Sequence, residues 1–157
     1  MRPAAAAHDQ SAQDTKARKK ARAVERPYGR EGDPRKVTRV IHIDMSDTMR
    51  FFPSELRVKR GDTVRFVVRN SGELPHEMVI GTMDELKKQA ALVKKSPDIE
   101  HVHAQPNAAR AGRGESAKLV WQFTRAGEFH YACLVPGHFE AGMIGTIVVT
   151  PTPPPRR

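Results

Sequence analysis

The sequence predicts an all-β fold, an antiparallel β-sandwich with one short helix inserted around residues 83–95. Three observations predict it. Short segments alternate apolar and polar side chains with the period of two that a strand with one buried face requires. Turn signals built from Gly, Asn, Asp and Pro separate these segments at short intervals. One stretch alone combines helical spacing with a helix-start signal.

In the first segment Val37, Arg39, Ile41, Ile43 and Met45 fall on one side of an extended strand, and Thr38, Val40, His42 and Asp44 on the other. Leu56 and Val58 alternate with Arg57 and Lys59 before the Gly61–Asp62 turn signal. Val64, Phe66 and Val68 then alternate with Arg65, Val67 and Arg69 as far as Asn70, Ser71 and Gly72. His76, Met78 and Ile80 share one face of the next strand, Leu119, Trp121 and Phe123 a face of another, and Phe129, Tyr131 and Cys133 a face of a third. A last strand runs from about Met143 to Thr150, and Pro151, Pro153, Pro154 and Pro155 end regular pairing. About six or seven such strands make a sandwich.

The helix starts at a capping box, Thr82 with Glu85 three residues on. Leu86, Ala90 and Val93 follow at helical spacing, Lys94 and Lys95 suit the negative end of the helix dipole, and Pro97 stops it. From Asp98 to Glu115, Pro106 and glycine turn signals predict a loop over one end of the sandwich.

The flanks have a different texture. Residues 1–36 contain almost no large apolar side chain and read as a disordered basic tail, residues 37–150 as the folded domain, and residues 151–157 as a Pro-rich tail. The whole chain has 157 residues and a formal net charge of +9. Residues 1–36 hold ten Lys or Arg against five Asp or Glu, and Arg156 and Arg157 add to the excess. The charge therefore belongs to the tails, which argues against a nucleic-acid-binding face on the domain. No apolar stretch approaches the roughly 20 residues of a membrane span, so no integral membrane segment is expected. Ala4 to Ala7 resembles the small-residue stretch around a signal cleavage site, which suggests a mature exported protein in the periplasm whose export signal has been removed. The single cysteine excludes an internal disulfide.

Chemistry concentrates between Tyr131 and Met143. Cys133, His138 and Met143 follow one another at intervals of five residues between two predicted strands, with Pro136, Gly137 and Gly142 supplying bends. A folded-back loop can bring a thiolate, an imidazole and a thioether together, whereas a regular strand cannot. Soft sulfur with imidazole favours copper, and a Cys with two His in a plane plus a weak axial Met is a one-electron copper site. His76, at the start of a strand after the Gly72–Pro75 turn, supplies the second imidazole.

With these residues in view, the chain resembles the cupredoxin family, the type 1 copper proteins, over residues 37–150. The resemblance rests on the stretch from Met49 to Pro53, Val58, the Gly61–Val64 turn, Asn70, His76 and the Cys133–His138–Met143 loop. More narrowly, residues 76–81 and 133–145 look like bacterial periplasmic cupredoxins of copper tolerance, and the spacing around His138 is that of rusticyanin. The resemblance implies a Greek-key sandwich and one copper ion per chain held by His76, Cys133, His138 and, axially, Met143. It implies a monomeric redox protein, not an enzyme, acting in copper tolerance through copper binding or one-electron transfer, and leaves open a cuprous-oxidase-like activity. Its partners would be a transient redox protein or copper-handling proteins. Plastocyanins and azurins usually carry Asn directly after the first ligand His, where this chain has Glu77.

Other readings stay open at this point. A respiratory electron carrier would share the same ligands. Zinc can be held by Cys and two His, although a thioether is a poor zinc ligand, and a metal-free interaction module would leave all four residues as packing. Binuclear copper needs a second Cys, and a trinuclear oxidase cluster needs more imidazoles than the seven this chain has. His101 and His103 could form an accessory copper site or be two solvated imidazoles. His130 should point away from the Cys133 face, His42 reads as a surface strand residue and His8 as a tail residue. Met45, Met49, Met78 and Met83 read as core packing more readily than as a Cu(I) array.

Overall fold

The computed structural model describes residues 24–97 and 105–152 of the chain. Among them are ten strands and one helix: β1 (Arg30–Glu31), β2 (Arg39–Ser46), β3 (Arg50–Phe52), β4 (Glu55–Lys59), β5 (Thr63–Asn70), β6 (His76–Gly81), α1 (Met83–Lys95), β7 (Ala108–Ala111), β8 (Ser116–Gln122), β9 (Gly127–Ala132) and β10 (Ile144–Thr150). They form two five-stranded sheets, β1-β8-β5-β2-β3 and β4-β10-β9-β6-β7.

The alternation read from the sequence is the alternation of burial. Ile41, Ile43 and Met45 of β2, Leu56 and Val58 of β4, and Val64, Phe66 and Val68 of β5 all enter one core between the sheets. Trp121, Phe123, Phe129 and Tyr131 meet them from β8, β9 and their flanks. Burying each such side chain contributes about 1.5 to 3 kcal/mol, which is what a chain without a disulfide must rest on.

Pairing is not antiparallel throughout. β2 runs parallel to β5, with Ile41 opposite Phe66, and β10 runs parallel to β4, with Ile147 opposite Leu56. The chain leaves the first sheet after β3, crosses to β4 in the second, and returns as β5 in the direction of β2. A period of two reports which face is buried and carries no information on strand direction, so this feature was invisible in the sequence.

Two further expectations are corrected. Residues 24–36 are not part of a disordered tail: Tyr28 is 1% exposed in the main core, and β1 pairs with the edge of β8. One large aromatic in a stretch otherwise poor in apolar residues suffices to fasten it. Residues 1–23, including His8, and residues 153–157 lie outside the described residues. The expected loop after Pro97 contains β7, which pairs with β6 from Val79↔Ala108 to His76↔Ala111. Its sequence, Ala-Ala-Arg-Ala, lacks the β-branched and aromatic residues that mark strands, and the exposed edge of β6 organises it instead.

The helix is as expected. Thr82 Oγ1 accepts the Glu85 backbone N–H at 3.2 Å, capping the first turn. Leu86, Ala90 and Val93 pack with Val79, Ala132 and Leu134 in a second, smaller core on the outer side of the second sheet. Every residue of β6 is consequently buried. No helix among the described residues is long and apolar enough to cross a membrane.

Candidate metal centre

Each candidate ligand arrives from a defined piece of backbone. His76 is the first residue of β6, and the turn before it is tied down by Asn70. The buried Asn70 amide donates to Leu74 O at 2.7 Å and Ala111 O at 3.0 Å, while its oxygen accepts the Gly72 N–H at 2.9 Å. Cys133 directly follows β9, and the loop to β10 closes on itself. Cys133 N donates to Met143 O at 3.1 Å, Met143 N to His138 O at 3.2 Å and His138 N to Val135 O at 2.9 Å. Gly137 and Gly142, with φ of 86° and 94°, make the bends in a region that other residues enter at a cost.

The result is a cluster of His76, Cys133 and His138, all buried, whose ligand atoms lie within 4.8 Å of one another. Cys133 Sγ is 3.4 Å from His138 Nδ1 and 4.0 Å from His76 Nδ1, so both rings turn the same type of nitrogen towards the sulfur. Met143 is wholly buried, and its main chain is hydrogen-bonded to both Cys133 and His138.

Burial works against charge at Cys133 and at His138. Burial pushes the Cys133 thiol up from 9.0 to about 12, opposed by hydrogen bonds from the backbone N–H groups of Glu77 and Val135. Burial, with the neighbouring His76 imidazole, pushes His138 below the usual histidine range. Neutral imidazoles offer lone pairs, and the two backbone N–H groups are placed to stabilise a thiolate once a cation replaces its proton. Two imidazole nitrogens and one soft sulfur, dry and converging, fit copper.

Glu77, at the position where Asn was the family expectation, is 1% exposed, and its main chain serves the sulfur through the hydrogen bond just described. His130 is directed away from the cluster, its Nδ1 3.3 Å from Gly145 O, and His42 is exposed on β2. His101 and His103 lie outside the described residues. Of the apolar residues flanking His138, Leu134 is buried and Phe139 packs against the smaller core, because α1 provides that core's other wall. Val135 is half-buried against the main core, while Pro136 is exposed, as are Leu74 and Pro75 before His76.

Two contributors escaped the sequence reading. Asp47 Oδ1 lies 2.9 Å from His76 Nε2, and Arg50 Nη1 donates to Ala141 O at 3.0 Å inside the ligand loop. Asp47 lies in the turn after β2 and Arg50 opens β3, and no spacing rule links them to partners 29 and 91 residues away.

Residues 37–150 match the family of copper binding proteins described as the plastocyanin/azurin family. A copper-resistant cuproprotein CopI of Rubrivivax gelatinosus is 51% identical over 129 residues, covering 82% of this chain and 77% of the relative. CopI of Pseudomonas aeruginosa is 32% identical over 151 residues, covering 79% and 83%. Among solved structures, auracyanin B superposes with a TM-score of 0.64 at 24% identity, covering 83% of this chain and 99% of that one. Auracyanin A, a blue copper protein of Chloroflexus aurantiacus, gives 0.61 at 24% identity, covering 71% and 98%.

Proposed function

Because the chain belongs to the copper-binding plastocyanin/azurin family, we propose that it is a periplasmic protein of copper tolerance that binds one copper ion and passes single electrons through it. The observation that carries the reading is the buried His76, Cys133, His138 cluster in a chain 51% identical to a copper-resistant cuproprotein. Met143, buried and hydrogen-bonded through its main chain to Cys133 and His138, would complete the set of residues that hold the ion.

Copper bound here supplies one-electron chemistry between Cu(I) and Cu(II). The protein's part is to hold the ligands in one arrangement. His76 is fixed by a strand and its hydrogen-bonded turn, and the other three by a loop whose main chain is closed on itself, so the site has little freedom to follow a change of oxidation state. His138 is 8% exposed in the same loop as the exposed Pro136, which makes that end of the sandwich the shortest route to a transient redox partner. Such a site needs no substrate cleft, and the chain is read as a redox carrier, not an enzyme with a substrate pocket.

The test is spectroscopic and genetic. Cu(II) added to the protein should give intense visible absorption and a narrow copper hyperfine splitting in electron paramagnetic resonance, both absent from Cys133→Ser. A deletion strain should grow poorly in copper and be rescued by the wild type but not by Cys133→Ser. Normal growth in copper with impaired respiration would overturn the tolerance role in favour of a respiratory carrier, and a colourless Cu(II) complex would overturn the site itself.

A further inference from the structure

The turn after β2 and the start of β3 touch the candidate site on two sides. On one side the Asp47 carboxylate is fully engaged: Oδ2 accepts the Glu73 N–H at 2.8 Å, Oδ1 accepts the Leu74 N–H at 3.3 Å, and Oδ1 lies 2.9 Å from His76 Nε2. Its oxygens already accept two backbone N–H groups, and an ionised carboxylate can only accept. His76 Nε2 must then carry the proton, which leaves the Nδ1 lone pair facing Cys133. Gly72 makes the approach possible, since a Cβ there would overlap the Asp47 carboxylate. On the other side Arg50 spans from Met49 O at 2.8 Å to Ala141 O at 3.0 Å, and a Cβ on Gly142 would sit 3.3 Å from its guanidinium. Met49, between them, holds a left-handed φ of 61°, which orders the turn that presents both side chains.

We propose that Asp47 is a positioning residue for the copper site, fixing the tautomer of His76 and lending it negative charge, while Arg50 at the start of β3 braces the loop that carries His138 and Met143. A carboxylate behind a ligand imidazole makes the ring a stronger donor and favours the more highly charged metal ion, Cu(II) over Cu(I). The inference rests on the reading of His76 as a copper ligand.

The experiment compares wild type, Asp47→Asn, Asp47→Ala and Gly72→Ala. In the metal-free proteins, imidazole nitrogen NMR should show His76 as the Nε2–H tautomer in wild type and as a mixture in Asp47→Ala. In the copper-loaded proteins, the reduction potential should rise in all three variants, with altered copper hyperfine splitting. Copper affinity should fall about 10- to 100-fold in Asp47→Ala and less in Asp47→Asn, which keeps an oxygen acceptor of the same shape. A residue that merely stabilised the turn would lower the thermal midpoint and leave tautomer and potential unchanged, and that result overturns the proposal. Should Asp47→Ala not fold, Asp47→Asn decides by its potential alone. A wild-type protein that fails to form a coloured copper complex would instead overturn the ligand assignment, so the two failures are distinct.

Discussion

The Trp121 indole N–H donates to the carbonyl of Tyr28 at 2.9 Å while the two rings stack with centroids 5.5 Å apart. This pair joins a segment ahead of the alternating strands to the centre of the sandwich. The Tyr28 hydroxyl adds contacts from Arg26 Nη1 at 3.2 Å and Asn107 Nδ2 at 3.4 Å. Asn107 in turn donates to Ile80 O at 2.7 Å, which links the segment to β6 near the end opposite His76.

Tyr28→Ala should therefore destabilise the fold by about 3 to 5 kcal/mol, as expected for an emptied aromatic site. Tyr28→Phe should cost only about 1 kcal/mol, because Asn107 keeps its stronger hydrogen bond. Urea denaturation followed by fluorescence of Trp121, the sole tryptophan, measures both. Equal, small effects would show that residues 24–36 contribute little to the fold.

Legibility followed the physics of each signal. Faces of strands, the Thr82 cap and the three converging ligands were readable because alternation, capping chemistry and ligand type are local properties of sequence. Direction of β2 against β5 was not, since it depends on where the chain crosses between sheets. Nor was β7, whose Ala-rich backbone is recruited by a neighbouring edge. Asp47 and Arg50 were unreadable as parts of the site for a third reason: an Asp and an Arg flanking a turn are ordinary turn chemistry, and only the fold brings them against His76 and Ala141. Tyr28 did carry a signal, a large aromatic in an otherwise polar stretch, which the composition of its surroundings outweighed.

Gly145 faces Tyr131 across the β9–β10 ladder, and a Cβ there would overlap the Tyr131 ring. The ring cannot yield easily, because its hydroxyl donates to Pro53 O at 2.7 Å and its face receives Phe51 edge-on at 5.0 Å. Gly145→Ala should cost about 1 to 3 kcal/mol through overpacking. In a Tyr131→Leu background the same substitution should cost less, a coupling that a double-mutant cycle of urea midpoints reveals. Additive costs would place the strain elsewhere.

Acidity should act on the metal-free protein from both ends of the scale. His138 is pushed down by burial, so its folded value lies below the 6.5 of an ordinary histidine. A depressed group contributes stability above its unfolded value and loses it as pH falls through the folded one, so metal-free protein should weaken on acidification below about pH 6.5. Cys133 has the opposite sign. Its pKa is raised from 9.0 to about 12, so its contribution is complete below pH 9 and declines as pH rises from 9 towards 12. Urea midpoints of the metal-free protein against pH should show both shoulders, the alkaline one absent from Cys133→Ser and the acidic one reduced in His138→Gln. Copper uptake reads the same groups. The thiol must lose its proton to become a ligand, so near pH 7 about one proton should be released per copper bound. Affinity should then rise about tenfold per pH unit between 7 and 9, and more steeply only below the depressed folded value of His138, where imidazole protonation also competes. Titration calorimetry in buffers of different ionisation enthalpy counts those protons, and uptake without proton release would mean that Cys133 is not the ligand.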